Sequence, residues 1–373
     1  MNEEVTSALR RAIDEVVRPA APEVDTEARF PEASIQALGR AGLLGLTVAE
    51  DMGGGGGSLA DAVDVVRALA GACGSTAMVV MMHYAATAVV ETHGPPDVRR
   101  QLGDGRHLAT LAFSEAGSRS HFWAPLGTAT KSGDGVRLDA RKSWITAAGR
   151  ADYYVWSSRP VAAEGAMTLW LVPSATAGLA TPGPFDGLGL RGNCSAPVEA
   201  RGAEVPERAR LGDDGRGLDI ALSEVLPWFL VLSAAFSVGV MEAVTDETGR
   251  HMTSTRLEHL DQTLADQPVT RADHARMRIA TDGAAALLHD TVAAVAAAQP
   301  HAPLRTLEVK AAAGEAAIAV TDLAMKICGG AAFRRELGVE RHFRDARAAR
   351  VMAPTTDALL DFVGRAINGL PLL

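Results

Sequence analysis

Apolar residues recur at helical spacing over Thr6–Val17 and again over Ala33–Leu44, where the pattern stops at Gly45. Five consecutive glycines, Gly53–Gly57, precede Ser58, which stands where it can cap a helix starting near Leu59. No strand pattern leads into the glycine run and no Lys-Ser/Thr follows it, so it reads as a flexible connector rather than a phosphate loop. Helical runs continue through Ala60–Ala72 and Ser75–Thr92. Near His107 the period changes. Leu108–Phe113 is a short apolar run, Gly135–Ala140 alternates with period two, and Tyr153–Ser157 and Thr168–Val172 read as further strands. Strand-like segments persist to about Pro206.

Long helical patterns return from Asp219: Val225–Thr248, Thr270–Ala298, Pro303–Ile327 and Thr355–Ile367 have the lengths and Ala/Leu spacing of an antiparallel bundle. The expected class is mostly α with a central β-domain. The expected boundaries are an N-terminal helical domain over 1–107, a β-domain over 108–212 and a C-terminal bundle over 213–373. The most apolar stretch, Val225–Met241, carries Pro227, Ser233 and Ser237 and falls short of the ~20 residues of a membrane span, so it reads as a buried helix.

Composition adds exclusions. The net charge of -9 argues against general nucleic-acid binding, which depends on basic patches. Cys73, Cys194 and Cys328 are far apart with no CxxC spacing, as expected of reduced thiols. The start, Met1-Asn2-Glu3-Glu4, lacks a basic-then-apolar signal pattern, so the expected location is cytoplasmic, away from the membrane.

Several segments, in this order, resemble the acyl-CoA dehydrogenase family across essentially the whole chain. Phe113-Ser114-Glu115-Ala116-Gly117-Ser118-Arg119-Ser120 is similar to the family's Thr/Ser-Glu-Pro-Gly-x-Gly-Ser signature, and Lys142-Ser143-Trp144-Ile145-Thr146 to its Lys-x-Trp-Ile-Thr strand. Leu188–Gly192, Val205-Pro206 and Leu211-Gly212 resemble the end of that domain. Cys328–Phe333 resembles the Phe-Gly-Gly-x-Gly-Phe turn, and Phe343–Ala346 the tract before the last helix. The resemblance implies an N-terminal helical domain, a β-barrel-like domain, a C-terminal four-helix bundle and FAD as cofactor. A flavin ring needs donors at the positions where negative charge accumulates on reduction. By resemblance Phe113, Ser114 and Thr146 supply them and Trp144 packs beside the ring. Taken alone, Ser114 also reads as a turn cap and Trp144 as core.

The same resemblance sets Arg256, eleven residues before Gln267, toward the flavin pyrophosphate of a neighbouring subunit, a task suited to a forked donor. The family's Phe-Gly after this arginine is replaced by His259-Leu260. Gly329 and Gly330 would let backbone approach the dinucleotide, and Thr355 matches the threonine two residues after the usual catalytic glutamate. Ser120 and Arg119 fall on the substrate loop; Arg119 stands where the family has a small residue and either meets a phosphate or carboxylate or faces solvent.

The pattern breaks at the base. Family dehydrogenases take the α-proton of an acyl thioester with a glutamate while hydride leaves the β-carbon for the flavin. One family position for that glutamate falls on Ala353, the other on Phe229 or, from a second anchor, Leu230. None accepts a proton. Glu224 substitutes only if the helix register slips, which Pro227 permits; His83 and His121 are other titratable candidates. Three readings follow: FAD-dependent desaturation of a thioester on CoA or a carrier protein, a flavin monooxygenase or oxidase on the same fold, and a non-catalytic family member. The expected partners are a small-molecule substrate, an electron-transfer or flavin-reductase protein, and a second copy in a homodimer or homotetramer.

Overall fold

The computed structural model describes residues 1–118 and 121–372. The chain opens with α1 (Glu3–Ala12), α2 (Arg18–Thr26), α3 (Glu32–Arg40), α4 (Leu59–Ala70), α5 (Gly74–His93) and α6 (Pro96–Gly103). Asn2 caps α1 by accepting the Val5 amide at 2.8 Å, with Glu3 and Glu4 at the positive end of the dipole and Arg10 and Arg11 at the negative one. Ser58 and Asp61 close a reciprocal box at the start of α4, as expected.

The glycine run is bonded rather than loose. The amides of Gly54, Gly55, Gly56 and Gly57 donate to the carbonyls of Ala49, Gly45, Val48 and Leu46 at 2.7–3.1 Å. A Cβ on Gly54 would stand 2.2 Å from the Val48 carbonyl oxygen, so only glycine fits. These amides are spent on the backbone, which excludes an anion cradle and corrects the expected flexible connector.

The strands are β1 (Ala109–Ala112), β2 (Thr128–Ser132), β3 (Gly135–Ile145), β4 (Tyr153–Ser158), β5 (Thr168–Pro173), β6 (Leu179–Ala180), β7 (Ala196–Pro206) and β8 (Arg210–Leu211). They form two four-stranded sheets, β1-β4-β5-β8 and β2-β3-β7-β6. Trp156 of β4 sits opposite Trp170 of β5, both fully buried, and Ser158 accepts the Trp170 indole N–H at 2.9 Å. In β3 Val136 and Leu138 point inward with period two, and the register against β7 shifts between Leu138 and Asp139 and again between Lys142 and Ile145.

Then come α7 (Gly217–Ile220), a π-turn over Ala221–Val225 and α8 (Leu226–Ser254). This continuous helical run, Gly217–Ser254, is long and apolar enough to cross a membrane, but 78% of its apolar window is buried inside the protein. A short hairpin, β9 (Arg256–Leu257) and β10 (Gln262–Thr263), leads to α9 (Pro268–Ala296), α10 (Ala302–Cys328), α11 (Val339–Ala346), α12 (Ala348–Val351) and α13 (Thr356–Ile367). Met277, Thr281, Ala284, Leu288 and Thr291 draw the buried stripe of α9, and α10 packs against α9, α11 and α13. By packing the chain forms two compact units: residues 1–65, 78–187 and 191–229, and residues 66–77, 188–190 and 230–373.

Candidate active site

In the first unit the two family-like motifs of the β-domain meet. The Ser143 amide donates to the Ser114 carbonyl at 3.0 Å and the Ala116 amide to the Arg141 carbonyl at 3.0 Å. Behind them Lys142, 1% exposed, places Nζ 2.7 Å from Glu115 Oε1, 2.7 Å from the Ser157 carbonyl and 2.9 Å from Ser157 Oγ. The Trp156 ring lies 5.0 Å from the same ammonium. Glu115 is bound in turn by the amides of Leu126 and Gly127. Burial pushes the Lys142 pKa down to about 8, against the opposing pull of the Glu115 charge. Removing one member of such a pair leaves an uncompensated buried charge and costs about 3–5 kcal/mol.

This pair anchors the bulge that follows it. Lys142 turns inward, the register slips, and Trp144 emerges with a left-handed φ of 59° and 70% of its surface exposed. A non-glycine residue in that region costs about 1–2 kcal/mol and is held there by its surroundings. Phe185 stands perpendicular to the indole with ring centroids 6.3 Å apart, and most of the indole surface remains exposed. Trp144 is therefore not core packing. Beside it, buried Thr146 shares a 3.2 Å hydrogen bond with Ser195; Ser114 is half-buried and Phe113 buried. An exposed aromatic ring with hydroxyls next to it is a donor set that fits the polar edge of a flavin.

The base positions are apolar. Phe229 is buried and Leu230 fully so, on α8. Glu224 lies in the π-turn ahead of Pro227, where the helix is irregular. Its carboxylate is already engaged: Oε1 is 2.7 Å from His93 Nε2, and Oε2 is buried with no partner among the described residues.

In the second unit Ala353 is half-buried on the turn between α12 and α13. Lys310 of α10 reaches this turn, with Nζ 3.2 Å from the Ala349 carbonyl, 3.0 Å from that of Met352 and 2.8 Å from that of Pro354. Burial alone brings its pKa down to about 7. Thr355 caps α13, its hydroxyl accepting the Ala358 amide at 3.4 Å. Arg256 and Gln267 flank one hairpin. Arg256 pairs with Thr263 across the ladder and with the Asp261 carboxylate, while the Gln267 amide donates to Gln262 at 2.9 Å. Gly329, at φ 54°, and Gly330 are exposed, and a Cβ on either would meet nothing within 4 Å. Their bare backbone leaves room for a ligand's close approach.

His83 is structural. It is fully buried, with Nε2 2.9 Å from the Leu44 carbonyl and Nδ1 accepting the Ala109 amide at 3.1 Å, and burial lowers its pKa to about 4. Exposed His121 lies 2.8 Å from the Ser118 carbonyl and edge-on to Trp123. Arg119 and Ser120 lie outside the described residues. In the sequence Glu115 and Lys142 stand as motif letters with nothing to pair them, and neither His93 nor Lys310 is singled out by any motif. An ionisable residue within an apolar helical run, Lys310 among alanines, was the available signal.

Helical, β and helical segments in this order, with a bulge that offers an open tryptophan beside hydroxyls, are the build of a flavoenzyme. Family models describe the same division: the acyl-CoA dehydrogenase N-terminal domain matches residues 2–103, the middle domain residues 110–202 and the C-terminal domain residues 215–368. The short-chain specific acyl-CoA dehydrogenase of Sus scrofa mitochondria is 28% identical over 91% of this chain and 83% of its own. Butyryl-CoA dehydrogenase from Megasphaera elsdenii superposes with a TM-score of 0.91 at 21% identity, over 99% of each chain. The prolyl acyl carrier protein oxidase AnaB superposes at 0.88 with 20% identity, over 98% of this chain and 99% of its own. The chain belongs to the acyl-CoA dehydrogenase family: it is a flavin-dependent oxidoreductase with FAD as cofactor.

Proposed function

We propose that this protein oxidises the CH–CH group of an acyl thioester, carried on CoA or on a carrier protein, without a glutamate at either family position. The observation that carries the reading is the rim around Trp144, where the Glu115–Lys142 pair and the Ser143–Ser114 hydrogen bond hold Phe113, Ser114, Trp144 and Thr146 together. FAD, when bound, supplies a two-electron acceptor. Ser114 and Thr146 donate to the polar edge of its ring and Trp144 covers the ring beside them. Arg256, eleven residues before Gln267, would reach the flavin pyrophosphate of a neighbouring subunit, Gly329 and Gly330 would let backbone approach the dinucleotide, and Thr355 would add a hydroxyl. Ser120 and Arg119 belong to the substrate loop. The relatives named for acyl-CoA support a CoA thioester, and the carrier-protein oxidase on the same fold supports a carrier-bound one. A homodimer or homotetramer, an electron-accepting partner protein and a cytoplasmic location complete the reading.

The test is anaerobic mixing of the FAD-loaded protein with a panel of acyl-CoAs and acyl carrier proteins, followed near ~450 nm, where flavin absorbs. Bleaching by one class identifies the carrier. Flavin left oxidised by every member overturns the proposal.

A second reading is favoured by one observation: Ala353, Phe229 and Leu230 offer no proton acceptor, and Glu224 is engaged by His93. A monooxygenase supplied with reduced flavin by a reductase does not need that acceptor. It predicts labelled oxygen in the product when reduced flavin is supplied; unlabelled products in every turnover count against it.

A further inference from the structure

We propose that Lys310 is the positioning residue of the turn that carries residue 353, and that this turn is a mount able to carry a proton acceptor. Helix α12 has only four residues, too few to sustain itself, and its last carbonyls have no helical partners. Lys310 answers that deficit. An ammonium has three donors, and here three carbonyls, those of Ala349, Met352 and Pro354, converge on it at 2.8–3.2 Å. Two of the three flank Ala353 directly, so the backbone on either side of that residue hangs from one nitrogen.

This is an expensive way to fill a core position. Lys310 is 2% exposed, burial lowers its pKa, and among the described residues no carboxylate pairs with it. The nearby ion pair, Arg350 with Glu315, is half in solvent and joins other side chains. A leucine or methionine would fill the same volume without desolvating a charge. What the lysine adds is a specified path for residues 349–354. Ala353 itself is half-buried, so the residue is not sealed into the core. The mount and the base are thus separable: this chain has the first and lacks the second. The inference rests on the thioester reading above for its chemistry, though not for its geometry.

The experiment uses the full-length, FAD-loaded protein as wild type, Lys310→Met, Ala353→Glu and the double variant. Hydrogen exchange over 348–356 is read by mass spectrometry, and anaerobic bleaching is driven by butyryl-CoA. Lys310→Met is expected to speed exchange over 348–356 about tenfold or more while far-UV circular dichroism is unchanged. Ala353→Glu is expected to raise the saturating bleaching rate about 100-fold, the usual reach of a positioned general base. Adding Lys310→Met should remove about tenfold of that gain with half-saturation nearly unchanged, because a misplaced base lowers the rate rather than the affinity. Should Lys310→Met fail to fold, Lys310→Gln, which keeps two donors, is measured in its place and should give intermediate exchange. Unchanged exchange in the folded variant, or an equal gain from Ala353→Glu with and without Lys310, overturns the proposal. If neither wild type nor Ala353→Glu bleaches with any thioester, the thioester reading falls, and the exchange measurement still decides Lys310.

Discussion

Among the described residues two lysines are buried, and they are buried differently. Lys142, in the β-domain, has a carboxylate at 2.7 Å, a hydroxyl, a carbonyl and an aromatic ring around it. Lys310, in the helical bundle, has only carbonyls. Desolvation lowers both, to about 8 for Lys142 and about 7 for Lys310; the Glu115 charge accounts for the smaller fall. The first arrangement neutralises a charge and thereby fixes the bulge that exposes Trp144. The second tolerates a charge in order to hold a backbone turn. A buried ammonium is thus used once as half of an ion pair and once as a three-way hydrogen-bond donor.

The comparison breaks most sharply at Glu115. Glu115→Gln removes the counter-charge of Lys142, and a loss of about 3–5 kcal/mol is expected in urea unfolding, together with loss of retained flavin absorbance. A loss below ~1 kcal/mol would show that Lys142 does not depend on its carboxylate.

Lys310→Met should cost less, about 1–3 kcal/mol, since it removes the desolvated charge along with the donors and leaves carbonyls unsatisfied. Its pH dependence has a definite sign. Because the folded Lys310 titrates near about 7 and the unfolded chain near the ordinary 10.5, the unfolded state holds more protons between these values. Stability therefore rises with pH across that window. The difference in unfolding free energy, wild type minus Lys310→Met, should grow from pH 7 toward 10; a flat difference would contradict the unpaired burial.

Trp144→Ala should separate binding from folding. The ring is 70% exposed, so stability should change by about 0.5 kcal/mol or less, while FAD affinity falls about tenfold in a fluorescence titration. Equal affinity would remove Trp144 from the rim. The smallest effect is expected at the π-turn. His93→Gln should cost about 1 kcal/mol of stability, one charge-assisted contact, with the bleaching rate unchanged. A rate loss above about tenfold would return Glu224 to the list of bases.

The long helices were legible because their signal is periodic and local. The stripe of α9 and the Ala-rich run of α10 stand in the sequence where the structure has them, within a few residues at each end. Helix α11, eight residues long, has no such stretch to read, and its Glu340–Arg344 pair of 2.7 Å is one contact within a polar segment. The glycine run misled because five glycines look loose until the carbonyls that receive their amides are known. At the site, Phe113, Ser114, Trp144 and Thr146 were legible as letters of two motifs. Their convergence depends on a bulge and a buried pair, Glu115 and Lys142, separated by 27 residues.

By itself the sequence determined the family, the order of helical, β and helical segments, and the absence of an acid at Ala353 and Phe229. Each of these rests on residue identity or on periods a few residues long. Only tertiary structure decided that Glu224 is engaged by His93, that Trp144 faces outward, and that Lys310 supports the turn beneath residue 353. Those pairings join residues many positions apart, with nothing periodic between them. Their geometry arises from desolvation and hydrogen-bond satisfaction in a packed core, which no local pattern encodes.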